Sequence, residues 1–323
     1  MTNFQGDTMC KVFYKICDVN ILVESEKELW ESDEAAAFRV EPCDYDFKVL
    51  VTAVDAIPEV SMITENGELL VNSEVSKLLD PSERIGFAYI DTTSDFTVYT
   101  NNHMVVRRAR DLFRPLPHAL SIYPMENLKE VKTFVYEDYY KWATSSKYLW
   151  TSISINHLML QFNTLFFHAS YIRYNGDGIL FTAASGMGKS TQAALWEAYK
   201  GAEIINGDKA AVRLEDSAKV YSTMFSGTSG ICKNISSPLK AVIVLEKGLD
   251  NSVRRLSPIE ILKYLLPNIF VDNVVDREKL KAIDLVIKLA AMVPVYFYSC
   301  TKDEGAVDVL YKILYGDDQE ILF

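Results

Sequence analysis

The residues best able to do chemistry in this chain form one short run, Ala183-Ala184-Ser185-Gly186-Met187-Gly188-Lys189-Ser190-Thr191. Two glycines one residue apart let the backbone turn so that several N–H groups converge on an anion, and the helix that follows adds its positive end. A lysine and a hydroxyl come next, one suited to β- and γ-phosphate oxygens and the other to Mg2+. The run follows an apolar stretch at 179–183 and opens a helical pattern at 189–199. That strand–loop–helix setting is what the Walker A pattern G-x-x-x-x-G-K-[ST] requires, although position 183 is Ala where the pattern has Gly. Ser185, Gly186, Met187, Gly188, Lys189, Ser190 and Thr191 therefore read as a nucleotide phosphate site, with ATP and Mg2+ as the expected ligands.

Asp208 closes the next apolar run, in Asn206-Gly207-Asp208. A carboxylate there can hold Mg2+ or take the proton of an attacking hydroxyl. Asn-Gly-Asp equally suits an Asx turn. His168 lies on the strand before the loop, where position alone suggests a hydrogen-bonded core residue. Ser226-Gly227-Thr228-Ser229-Gly230 reads either as an anion-binding loop or as a flexible connection. Lys233, Asn234, Arg213, Arg254 and Arg255 are weaker candidates for supplying polar or positive groups.

The elements that must position these groups alternate in the C-terminal half. Strands are expected at 165–174, 179–183, 202–205, 210–214, 219–224, 239–245 and 295–299, and helices at 189–199, 258–266, 277–291 and 304–314. Ser257-Pro258 is a good helix start. Residues 1–125 read instead as a β-rich module, with strands at 11–16, 47–54, 87–90, 96–100 and 103–108. Turns fall at 66–67, 93–95 and 101–102, and a linker at 114–118. Residues 127–147 and 148–163 lack Pro and Gly and suit helices, with a β-rich stretch at 151–155 inside the second. The expectation is an α/β catalytic domain at 126–323 preceded by a β-rich domain at 1–125.

With 323 residues, the chain has room for two domains with real cores. Its 33 Lys+Arg against 44 Asp+Glu leave a net charge of −11, a poor basis for nucleic-acid binding. Five cysteines without a C-x-x-C pair argue against a disulfide framework or a zinc site. No membrane span and no signal-peptide pattern is legible, so the expected location is cytoplasmic.

Taken together, His168 on a strand, S-G-M-G-K-S-T at 185–191 and I-N-G-D at 205–208 resemble the C-terminal catalytic domain of HPr serine kinases. That domain belongs to the phosphoenolpyruvate carboxykinase-like P-loop group. The resemblance is closer still to HPr-kinase-like bacterial proteins and to lasso-peptide-tailoring kinases, in which Ala at the first loop position is familiar. F-S-G-T-S-G-I-C at 225–232, P-L-K-A-V-I-V-L at 238–245 and S-C-T-K-D-E-G-A at 299–306 fit the same subgroup. The resemblance covers roughly residues 160–315. It implies transfer of the γ-phosphoryl of ATP to a Ser/Thr-type hydroxyl of a peptide, protein or small molecule. Lys189 would then act on the phosphates, Ser190 on Mg2+, Asp208 as the catalytic acidic residue and His168 beside it. HPr kinases place two adjacent acids here, whereas Asp208 is followed by Lys209, and the N-terminal half does not match theirs. The other reading is an ATP-binding switch with little transfer. Nothing in the sequence sets an oligomeric state.

Overall fold

The computed structural model describes residues 9–30, 33–57, 60–62, 69–71, 88–92, 96–100, 103–109, 117–272 and 274–316. The expected turns at 66–67, 93–95 and 101–102 and most of the expected linker lie outside them. Two compact units emerge, one of residues 1–161 with 272–277, the other of 162–271 with 278–323. The chain passes from the first unit to the second at 161/162.

The first unit holds β1 (Cys10–Ile16), β2 (Val19–Ser25), α1 (Asp33–Ala36), β3 (Arg39–Val40), β4 (Phe47–Val54), β5 (Val60–Met62), β6 (Leu69–Val71), β7 (Ala88–Thr92), β8 (Phe96–Thr100), β9 (Met104–Ala109), β10 (Ala119–Pro124) and β11 (Glu130–Tyr136). Apart from the β5–β6 ribbon, the strands form a nine-stranded sheet in the order β3-β1-β2-β4-β11-β10-β9-β8-β7. Cys17 and Asp18, both at positive φ, make the two-residue turn between β1 and β2, the geometry that matches strand twist.

The helix expected at 127–147 is not formed; β11 occupies its centre. Val131, Thr133, Phe134 and Val135 are buried there, parallel to β4 on one side and antiparallel to β10 on the other. Val131, Thr133 and Val135 share the buried face of β11, while Glu130, Lys132 and Tyr136 on the other are half-exposed, so the strand alternates. Its seven residues lie in a longer stretch without Pro or Gly that carries no turn signal at either end of the strand. Of the 127–147 helix only the short α2 (Tyr140–Ala143) forms, near its C-terminal end, and the helix expected at 148–163 is broken into α3 (Ser146–Ser152) and α4 (Ile155–Leu158). Ser154, at φ 54° and ψ 51°, interrupts it in the left-handed region. Segment 272–277 joins this unit through a buried charge cluster. Arg107, with no exposed surface, lies 2.6 Å from Asp272 Oδ2 through Nη1 and donates from Nε to the Tyr123 hydroxyl at 2.7 Å. His157 Nε2 is 3.2 Å from the same carboxylate oxygen. Burial opposes ionisation of Asp272, but the His157 hydrogen bond and the charges of His157 and Arg107 hold its carboxyl well below the usual range.

The second unit holds β12 (Thr164–Tyr174), β13 (Asp177–Thr182), α5 (Lys189–Lys200), β14 (Glu203–Asn206), β15 (Lys209–Leu214), β16 (Ala218–Ser222), β17 (Ser236–Lys247), β18 (Ser252–Arg255), α6 (Pro258–Leu265), α7 (Asp276–Met292, from Glu278 onward), β19 (Val295–Cys300) and α8 (Glu304–Tyr315). Only β18 was not expected. The fold is thus mixed α/β with two large sheets. Strands β13, β17 and β19 run parallel in adjacent positions. The long β12 pairs with β13 and β14 over its second half and with β15 over its first. Helices α5 and α8 bury Ala193, Trp196, Val307 and Leu310 against Phe181, Ile243 and Tyr298 of these strands. At about 1.5–3 kcal/mol per large apolar side chain, this layer anchors α5 and with it the loop that precedes the helix. No helix among the described residues is long and apolar enough to cross a membrane.

Candidate active site

The glycine loop leaves the carboxyl end of β13 and enters α5. Gly186 has φ 76° and Gly188 φ 109°, and a Cβ on either meets nothing within 4 Å. Their glycine character answers to conformation and not to lack of room. Ala183 is not among the positive-φ residues and packs into the core, which is why Ala can stand where the pattern has Gly. Gly188 heads α5 without a side-chain cap, leaving the first-turn N–H groups for a ligand. Lys189 folds back, 7% exposed, with Nζ 3.0 Å from Ala183 O and 3.3 Å from Ala184 O. Burial pushes its pKa down, and the Asp208 carboxylate pulls it back up. Ser185 and Ser190 are exposed, Thr191 is half-buried, and Met187 packs partly against the α5 core.

Asp208 follows β14. The Asx turn that the sequence allowed belongs to Asn206, whose Oδ1 accepts from the Asp208 and Lys209 N–H groups, each at 2.9 Å. Asn206 is fully buried, and its Nδ2 donates to Ser222 Oγ at 3.1 Å and Thr223 O at 3.0 Å. Because Asn206 makes the turn, the Asp208 side chain has no part in closing it. The Asp208 main chain is tied to β12, where Ala169 N donates to its carbonyl at 2.9 Å.

His168 interrupts an otherwise buried strand, the residues on either side being packed away while its side chain is 30% exposed. Its Nε2 lies 3.8 Å from Asp208 Oδ1, too long for a hydrogen bond and close enough for charge to matter. Burial and the Lys189 charge lower the His168 pKa, Asp208 raises it and Lys209 lowers it further. His168, Lys189 and Asp208 are therefore brought into one electrostatic neighbourhood.

The loop 226–230 lies over Asp208. Gly227 has φ 58°, and a Cβ there would sit 2.5 Å from Asp208 Cβ; one on Gly207 would sit 2.2 Å from Ser229 Oγ. The glycines of the two loops thus allow a close approach of backbone to carboxylate. The loop of Gly227 was a candidate from sequence as an anion-binding loop, but its approach to Asp208 was not, and neither Asn206 as the turn-maker nor the aromatic pair Phe225 and Phe270 was singled out. Asn206 had a signal, since Asn is as apt as Asp to build an Asx turn. Three of the four other candidate cations are engaged elsewhere. Lys233 pairs with Glu203 at 2.9 Å, Arg254 with Glu260 at 2.8 Å, and Arg213 with Glu215. The five cysteines are free thiols.

No family model matches the chain, and neither does any curated protein. Among solved structures, the Hpr(Ser) kinase/phosphatase from Coxiella burnetii is similar over 46% of this chain and 93% of its own, at 14% identity and a TM-score of 0.28. At that level of likeness the site residues themselves have to carry the chemistry.

Proposed function

We propose that this chain is an ATP-dependent kinase that phosphorylates a Ser/Thr-type hydroxyl on a peptide, a protein or a small molecule. The observation that carries the reading is Asp208, released from turn-making by Asn206 and set 3.8 Å from His168 within the field of the buried Lys189.

The residues present fit a nucleotide with Mg2+. A buried ammonium, an uncapped helix start and two positive-φ glycines facing open space supply donors and room for phosphate oxygens. Ser190 and Asp208 offer the oxygen ligands that Mg2+ takes. When bound, Mg-ATP supplies the γ-phosphoryl group and the metal charge that offsets its negative oxygens. Lys189 holds phosphate oxygens. Asp208 orients the acceptor hydroxyl and accepts its proton, and His168, kept neutral by burial and by Lys189, can share that proton. Gly227 and its neighbours limit the space above Asp208, so that the acceptor oxygen is positioned rather than free to diffuse.

The test is incubation of the purified protein with γ-labelled Mg-ATP and three acceptor pools, namely free L-serine, Ser-containing peptides and host lysate. The reading expects label in one pool and its loss in Lys189→Ala. Nucleotide binding with no label in any pool would overturn transfer and leave an ATP-dependent switch.

A further inference from the structure

Lys209 stands directly opposite His168 in the β12–β15 register. Opposed residues on neighbouring antiparallel strands carry their side chains on the same face of the sheet. The Lys209 ammonium is 3.9 Å from the centroid of the Phe270 ring and 4.1 Å from that of Phe225. Ring faces attract an ammonium without neutralising it, so two of them fix the position of a cation and keep its charge. Phe270 is set in place by its own N–H, which donates to Phe166 O at 2.9 Å, and its ring lies 6.1 Å from that of His168. His168 thus feels Lys189 from α5 and Lys209 from β15, and Asp208 lies beside it.

We infer that Lys209 is a second phosphoryl-binding cation, held by Phe225 and Phe270 to meet negative charge on the group in transfer. The inference rests on the kinase reading. In the step, the acceptor oxygen forms a bond to the γ-phosphorus while the bond from that phosphorus to the β,γ-bridging oxygen breaks. ADP departs with the electron pair of the broken bond, and the acceptor proton passes to Asp208. Charge spread over the three equatorial oxygens then lies between the Lys189 side and the Lys209 side of the site. A fixed cation contributes most where charge gathers in the transition state.

The experiment compares wild type, Lys209→Met and Lys209→Arg by calorimetry with Mg-ADP and with Mg-ADP plus aluminium fluoride, a mimic of the phosphoryl group in flight. Steady-state kinetics on the labelled acceptor pool accompany it. Lys209→Met is expected to bind Mg-ADP within about twofold of wild type and to lose about tenfold or more of the extra affinity for the fluoride complex. Its kcat should fall about 100-fold with little change in KM for ATP, and Lys209→Arg should recover part of both losses. Should Lys209→Met fail to fold, Phe270→Leu, which removes one ring from the clamp, is expected to lower fluoride-complex affinity and kcat in the same sense. Unchanged fluoride binding, an effect confined to the acceptor KM, or no recovery with Arg would overturn the inference. A wild-type protein that binds no nucleotide or transfers no label defeats the kinase reading itself. Wild-type transfer matched by Lys209→Met defeats only the role of Lys209.

Discussion

Replacing Gly227 by alanine places a methyl group where the structure leaves no room. The new Cβ would lie 2.5 Å from Asp208 Cβ and 2.6 Å from its Cγ, about 0.9 Å short of an ordinary 3.4 Å contact. Either the loop or the carboxylate has to move by about that amount. A displacement of about 1 Å at a reacting group costs on the order of 100-fold in rate. The positive φ adds a separate cost of about 1–2 kcal/mol to stability. Gly230 supplies the matched control, because its φ of 67° carries the same conformational cost while a Cβ there meets nothing within 4 Å. Gly227→Ala should therefore lose about 100-fold in transfer, whereas Gly230→Ala should lose stability to a similar degree and keep its transfer rate. Gly230→Ala should bind Mg-ADP like wild type in calorimetry. Equal transfer by Gly227→Ala and wild type would refute the placement of this loop against the working carboxylate.

Three further outcomes follow from the packing and the charges. Asn206→Ala removes a buried side chain that engages two N–H groups, a hydroxyl and a carbonyl; urea unfolding should show a loss of about 2–4 kcal/mol, and transfer should fall with it. Arg107→Met leaves Asp272 charged beside His157 without its guanidinium partner and should cost about 3–5 kcal/mol in the same assay. His168 should titrate below its ordinary 6.5 in NMR, because burial and Lys189 disfavour the charged ring, and Lys189→Met should move it upward. The unfolded chain takes this proton first, so His168 costs no stability above pH 6.5 and lowers stability as pH falls from 6.5 through its folded value.

The sequence exposed the parts of the site whose chemistry is local. Gly186, Gly188 and Lys189 announce a loop because only glycine is at ease at positive φ and because strand and helix patterns flank it. The strands of the second unit were legible as apolar runs between turn residues. Long-range pairing was not. β11 read as helix because its seven residues sit in a long stretch without Pro or Gly, and only its pairing with β4 and β10 makes it a strand; the helix expected after it is broken at Ser154 by a backbone angle that serine seldom adopts. Lys209 could be seen to replace an acid, but Phe225 and Phe270 reach it only through the fold. Asn206 and Asp208 compete for one turn in the sequence, and burial decides between them.

The most direct test of the central claim is label transfer from γ-labelled Mg-ATP by Asp208→Asn beside wild type, with nucleotide affinity measured on both. The amide keeps the size of the side chain and cannot take the proton of the acceptor. The account predicts that wild type labels an acceptor and that Asp208→Asn binds nucleotide yet transfers none. Near-full transfer by Asp208→Asn would contradict it.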